Sequence, residues 1–185
     1  RNDATGSWYS FVYRDGIESW WRWLGAHRAI IYSEAASYHQ PLLEDRAEEY
    51  GDGARVQLEA GLFLPAVDYL KAQRVRRVVR RAWDEVFASV DCLLTPSSQA
   101  VAARLGADSV ELPAGPTPLL QAYLGLLLPL NLSGHPALSL PCGFSRVGLP
   151  IGMQLVGKPF DEQTILRVAH QYQGKTDWHQ RLPDV

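Results

Sequence analysis

Nucleophilic hydrolysis needs a serine or cysteine whose proton a nearby base can take, together with backbone donors for the developing oxyanion. In this 185-residue chain the nearest approach to that requirement is Ser97-Ser98. The pair follows Pro96 without a glycine-rich turn, a setting in which serine acts as a turn or capping residue rather than a nucleophile. Histidines 27, 39, 135, 170 and 179 form no HxxxH or HxH pair, so local structural roles explain them better than metal ligation. His135, between Gly134 and Pro136, has the most unusual setting, and a satisfied structural histidine is still the better reading than a general base. The carboxylate pairs Asp161-Glu162 and Glu48-Glu49 are sequence neighbours, which on a helix point about 100° apart and do not converge on one substrate. Cys92 and Cys142 lie in apolar surroundings with no second pair, and read as reduced core thiols. Neither a metal nor a cofactor is expected: there is no His/Cys cluster and no phosphate-cradling glycine loop.

The elements that would position these residues follow from periodicity. Residues 17–32 place Trp20, Trp23, Leu24, His27 and Ile31 at helical spacing, which predicts a helix with an aromatic core stripe. An acidic, turn-punctuated segment follows, and Gly51-Asp52-Gly53 predicts a helix stop and restart. From Pro65 to Ala88 a long helix is predicted, with Val67, Lys71, Val75, Val78, Ala82 and Val86 on one stripe. Its arginines, Arg74, Arg76, Arg77, Arg80 and Arg81, could be read as a nucleic-acid face, but no aromatic residues are interleaved and the acidic segment offers partners. Asp91 to Thr95 predicts a buried strand opening into a loop at Pro96, and residues 99–118 read as irregular. The apolar stretch from Leu119 to Leu130 reads as a buried helix or a helix-to-strand passage, too short for the roughly 20 residues that span a bilayer. Ala137–Pro141 and Ile151–Val156 predict two strands, and Glu162–Gln173 a helix capped by Asp161 with Ile165, Leu166 and Ala169 inward. Alternation of strands and helices argues for an α/β layered fold. The formal net charge of -2 gives no global field toward nucleic acid or anionic lipid. With no disulfide framework and no leader, a cytoplasmic location is expected.

The run Asn131-Leu-Ser-Gly-His-Pro-Ala-Leu-Ser-Leu-Pro-Cys-Gly-Phe144, followed by Gly148-Leu-Pro-Ile-Gly-Met-Gln-Leu-Val-Gly-Lys-Pro-Phe-Asp-Glu162, is similar to the closing motif of amidase signature enzymes. Asp68 to Arg76, Asp91 to Pro96 and Thr176 to His179 resemble other parts of the same family in the same order, so the likeness runs over roughly residues 30–183. The resemblance implies the C-terminal part of the amidase signature fold, a mixed sheet flanked by helices, with residues 1–185 forming the C-terminal portion of one amidase domain. It implies hydrolysis of a small-molecule carboxamide by a Ser, a second Ser in a cis peptide and a Lys. Those residues belong to a Gly/Ser-rich segment not recognisable here: the lysines are Lys71, Lys158 and Lys175, and none lies in such a stretch. No catalytic residue can therefore be transferred, and the catalytic N-terminal portion is expected to be missing.

One branch of the family is the A subunit of the aminoacyl-tRNA amidotransferase, which releases ammonia from glutamine. By resemblance to it, Arg76 would grip a substrate carboxylate, work suited to a planar five-donor group, and Asn131 of the closing motif would be a second substrate contact. That branch also has an acidic residue a few positions before the Asn, whereas residues 123–130 carry no charge, which favours a general amidase with an apolar acyl or amine pocket. A third reading is a non-catalytic scaffold or interaction module. The chain is expected to be inactive alone. It should form a homo-oligomer through an uncovered sheet face or edge, with no direct contact to nucleic acid or membrane. Asn131–Gly157 should form two adjacent strands that border a concave, mainly apolar site.

Overall fold

The computed structural model describes residues 16–182, and the chain divides into two compact units, Arg1–Arg80 and Arg81–Val185. In the first, α1 runs from Gly16 to Arg46, well past the predicted end at Tyr32. The intervening Ala35, Ala36, Leu42, Leu43 and Glu44 are good helix formers, and Pro41 is carried inside the helix instead of ending it. Trp23, Leu24, Ala26, Ile30, Ala36 and Leu43 are buried, while Ile31, assigned to the core stripe by spacing, is exposed. The side chain of Trp20 lies outside the described residues.

A single 3-10 turn, Ala47–Glu49, closes α1, and the Arg46 guanidinium donates to both Glu49 carboxylate oxygens at 2.7 and 2.5 Å. Gly51 then caps α2, Asp52–Leu62, its carbonyl accepting from the N–H groups of Ala54 and Arg55 at 3.0 Å each. The predicted restart at Gly51-Asp52-Gly53 is found there. Gly61 faces the α1 backbone at Tyr32 and the Ala36 methyl so closely that no side chain fits between the helices.

Helix α3 spans Ala66–Phe87, within a residue of the prediction at each end. Its buried face is Ala72, Val79, Trp83 and Phe87, whereas Val67 and Val78 of the predicted stripe are exposed. Two apolar stripes coexist on this helix, and the one that removes Trp and Phe from water removes more apolar area.

The second unit holds a three-stranded sheet of order β1-β5-β4 and a separate hairpin, β2-β3. The strands are β1 Cys92–Pro96, β2 Ser109–Leu112, β3 Gly115–Pro118, β4 Ala137–Phe144 and β5 Pro150–Gly157. All pairs among the described residues are antiparallel, so the α/β class holds while the mixed character expected of the sheet is not seen in this part. The β2-β3 hairpin corrects the irregular reading of residues 99–118. Pro116 and Pro118 sit in a two-stranded ribbon, where a residue without an N–H can face the free edge.

Leu119–Leu124 and Leu128–Ser133 form two short helices, α4 and α5, with Leu128, Leu130 and Leu132 buried. Helix α6 occupies Glu162–Gln173 as predicted. Ile165 and Ala169 are buried on it, but Leu166 is exposed. Asp161 holds the N-cap position, and its carboxylate accepts the Thr164 hydroxyl at 2.9 Å.

Candidate functional site

The two faces of the β1-β5-β4 sheet differ in chemistry. Register places Leu138, Leu140, Met153 and Leu155 on one face, where they pack with Ile165 and Ala169 of α6, and Cys92 and Cys142 flank this core as free thiols. Gly157 belongs to the same face, where an added Cβ would stand 2.9 Å from the Ile165 Cγ2 atom. Period-2 alternation then sends Thr95, Ser97, Ser139, Gly152 and Gln154 to the opposite face.

That opposite face grades from apolar to polar. Leu93, Ala137 and the fully buried Val156 mark one end. In the middle, the buried Gln154 amide donates to Thr95 Oγ1 at 3.2 Å, and Thr95 Oγ1 donates to the Pro96 carbonyl at 3.2 Å. At the other end the hydroxyls of Ser97 and Ser139 lie 2.7 Å apart above Gly152, whose carbonyl accepts the Ser97 N–H at 2.9 Å. Hydroxyls therefore occupy the solvent end of this face. One hydroxyl proton of the serine pair joins the two oxygens, which leaves the other free to donate outward.

The hydroxyls of Ser97 and Ser139 can hold a carbonyl or an amide. Among the described residues neither Ser97 nor Ser98 is hydrogen-bonded to a His, Lys, Asp or Glu side chain; Ser98 Oγ donates to the Ala100 carbonyl at 2.6 Å. Sequence reasoning found Ser97 and passed over Ser139 and Gln154. The signal was present in Leu138-Ser139-Leu140 and Met153-Gln154-Leu155, where a lone polar residue alternates with apolar neighbours.

Gly152 makes the serine contact possible. A Cβ there would lie 2.8 Å from Ser97 Oγ and 3.1 Å from Ser97 Cβ. Gly152→Ala is expected to destabilise by about 1–3 kcal/mol through overpacking, and by clearly less in a Ser97→Gly background, where the obstructing atoms are gone. Urea unfolding of the four members of this cycle checks it; additive costs would contradict the contact.

His135 is buried, and its Nδ1 lies 2.8 Å from Ser133 Oγ, which itself donates to the Leu130 carbonyl at 3.2 Å. The short contact ties the imidazole to Ser133, with the donor of the pair set by the tautomer. Its ring stacks at 5.3 Å on Phe87 and lies 5.6 Å from Trp83. Gly134 closes α5 in the left-handed conformation, φ 79°, a position that suits glycine. His27, in α1, is held below the usual histidine range by burial and by the neighbouring Arg28 charge.

Arg76 lies on α3 in the first unit, half-buried, and its Nε is buried without a hydrogen-bond partner among the described residues. Asn131 lies on α5 in the second unit and is exposed. Arg74, Arg77, Arg80 and Arg81 are exposed, and among the described residues none makes an ion pair, so the acidic segment does not neutralise them as expected. No group of His, Cys, Asp or Glu among the described residues could hold a metal ion. Nor is any described helix long and apolar enough to cross a membrane.

A model of the family described as Amidase matches residues 9–166. The chain belongs to the amidase family. Among its relatives, an amidase of Pseudomonas putida is 40% identical over 157 residues, covering 84% of this chain and 34% of that protein. The A subunit of the glutamyl-tRNA(Gln) amidotransferase of Chloroflexus aggregans is 40% identical over 160 residues, 83% of this chain and 31% of that protein. In structure the chain is similar to a crystal structure of an amidase, with TM-score 0.73 and 30% identity over 83% of this chain and 35% of that one. It is also similar to a chain from a vestigial protein complex that reveals the evolutionary origins of an s-triazine catabolic enzyme, with TM-score 0.71 and 27% identity over 85% and 35% of the two chains. The chain spans about a third of the length of the curated relatives it matches. Within this chain, the stretch from Asn131 to Glu162 builds the end of α5, β4, β5 and the start of α6.

Proposed function

We propose that the chain is the C-terminal scaffold of an enzyme that hydrolyses a small carboxamide to a carboxylate and ammonia or an amine, with its Ser-Ser-Lys residues in sequence other than these 185 residues. The observation that carries this reading is the sheet whose β4 and β5 come from the family's closing motif: one face packs on α6, and the other carries the hydroxyls of Ser97 and Ser139 next to the buried Gln154, with no His, Lys, Asp or Glu side chain among the described residues hydrogen-bonded to either serine. Such a layer suits the floor of a site whose reactive groups arrive from another segment. Arg76 and Asn131 are proposed as substrate contacts in the whole enzyme. For Arg76, a buried Nε without a hydrogen bond is a desolvated donor that an anionic acceptor would satisfy. The enzyme works without metal or cofactor, as a cytoplasmic homo-oligomer, and touches neither nucleic acid nor membrane directly.

A second reading, the glutaminase A subunit of a tRNA amidotransferase, is favoured by relatives of that name at 36–40% identity. The uncharged residues 123–130 favour an apolar acyl or amine pocket over glutamine recognition.

The test is an ammonia- and amine-release assay of the 185-residue chain with glutamine and with an aryl amide. No hydrolysis is expected from either. Turnover abolished by Ser97→Ala or Ser98→Ala would place the nucleophile inside this chain and overturn the proposal.

A further inference from the structure

Two stripes exposed on the first unit complement each other in polarity and charge. On α1, Ile31, Tyr38 and Leu42 stand on one face, seven and four residues apart, and Glu34 and Asp45 fall on the same face. On α3, Val67, Leu70 and Val78 form the exposed face, and Arg74 and Arg77 are interleaved with them. Tyr38 is 78% exposed and Val78 62%, so neither stripe is covered by the described residues. Among the described residues Asp45, Arg74 and Arg77 form no ion pair, and Glu34 accepts the Tyr69 hydroxyl at 2.9 Å without a cation beside it. At the helical rise of 1.5 Å per residue the acidic stripe is about 21 Å long and the basic one about 17 Å, a near match.

We propose that these stripes are an interface for a second copy of this chain, with α1 of one copy seated on α3 of its partner. Apolar residues supply the buried area, and Glu34 and Asp45 meet the guanidinium groups of Arg74 and Arg77 to set the pairing. A two-fold dimer makes the same contact twice, which brings it nearer the roughly 800 Å² per partner of a stable interface. A nucleic acid would engage the arginines alone and leave the acidic stripe facing water, so a second copy accounts for both surfaces.

Sedimentation velocity of the whole 185-residue chain over a dilution series tests this, with charge-reversed pairs as probes. Arg74→Glu with Arg77→Glu, and separately Glu34→Lys with Asp45→Lys, are each expected to weaken self-association at least about tenfold, since like charges then oppose across the contact. Mixing the two variants should restore a dimer, because each then offers the stripe its partner lacks. Hydrogen exchange on the unmodified chain is the independent arm, with protection of residues 31–45 and 67–78 rising with protein concentration. The proposal is overturned by a wild-type chain that stays monomeric throughout. It is equally overturned by variants that associate as well as wild type, by a mixture that stays monomeric, or by association that nuclease removes.

Discussion

Gly61→Ala should cost about 3 kcal/mol, at the upper end of overpacking penalties, because the added methyl meets backbone and not the tip of a flexible side chain. It would press on the Tyr32 carbonyl, with the Tyr32 carbonyl carbon 2.6 Å away and the Ala36 methyl 2.7 Å away. Relief requires α2 to move off α1, and Leu58 and Ala36, buried in this unit, lose packing as it does. Gly53→Ala, in the same helix, is the matched control: nothing lies within 4 Å of the added atom, and the change should stabilise by about 0.5–1 kcal/mol through lower unfolded-state entropy. Urea unfolding followed by far-ultraviolet circular dichroism separates the two. A Gly61→Ala midpoint equal to wild type would mean that the two helices are not in this contact.

Trp83→Ala is expected to destabilise the second unit by about 3–5 kcal/mol, the range for removing a buried large aromatic. Trp83 is 2% exposed, with its ring 6.0 Å from Phe87 and 5.6 Å from His135. Its loss opens a cavity beside a histidine whose Nδ1 must stay bonded to Ser133, so a polar group loses its apolar wall as well. Trp83→Phe keeps a ring in place and should retain most of the stability. Equilibrium unfolding of both variants is the check, and a loss below about 1 kcal/mol for Trp83→Ala would remove this cluster from the core.

Much of the second unit was legible in the sequence because its signals are local. Short apolar runs bounded by Gly and Pro marked β4 and β5, and Asp161 with the Ile165-Ala169 spacing marked α6 at its observed bounds. What failed depended on tertiary choice. Val67 and Val78 on α3 have the right period, yet the stripe containing Trp83 and Phe87 won burial. The β2-β3 hairpin was hidden because Gly and Pro mark both irregular chain and two-stranded ribbons. The site was half legible: Ser97 stood out by type, whereas its partner Ser139 is 42 residues away and becomes visible only through the register of β1 and β4 on β5.

If these residues form the floor of an amidase whose reactive groups come from another segment, they should serve in that place within a related enzyme. The test exchanges the matching segment of an active full-length amidase for residues 9–166 of this chain. The chimaera should fold and hydrolyse a small amide within about tenfold of its parent, a difference of about 1.4 kcal/mol in the barrier, and Gly152→Val within it should lose that activity. A folded chimaera that binds and hydrolyses no amide would show that this layer is not the floor of an amidase site.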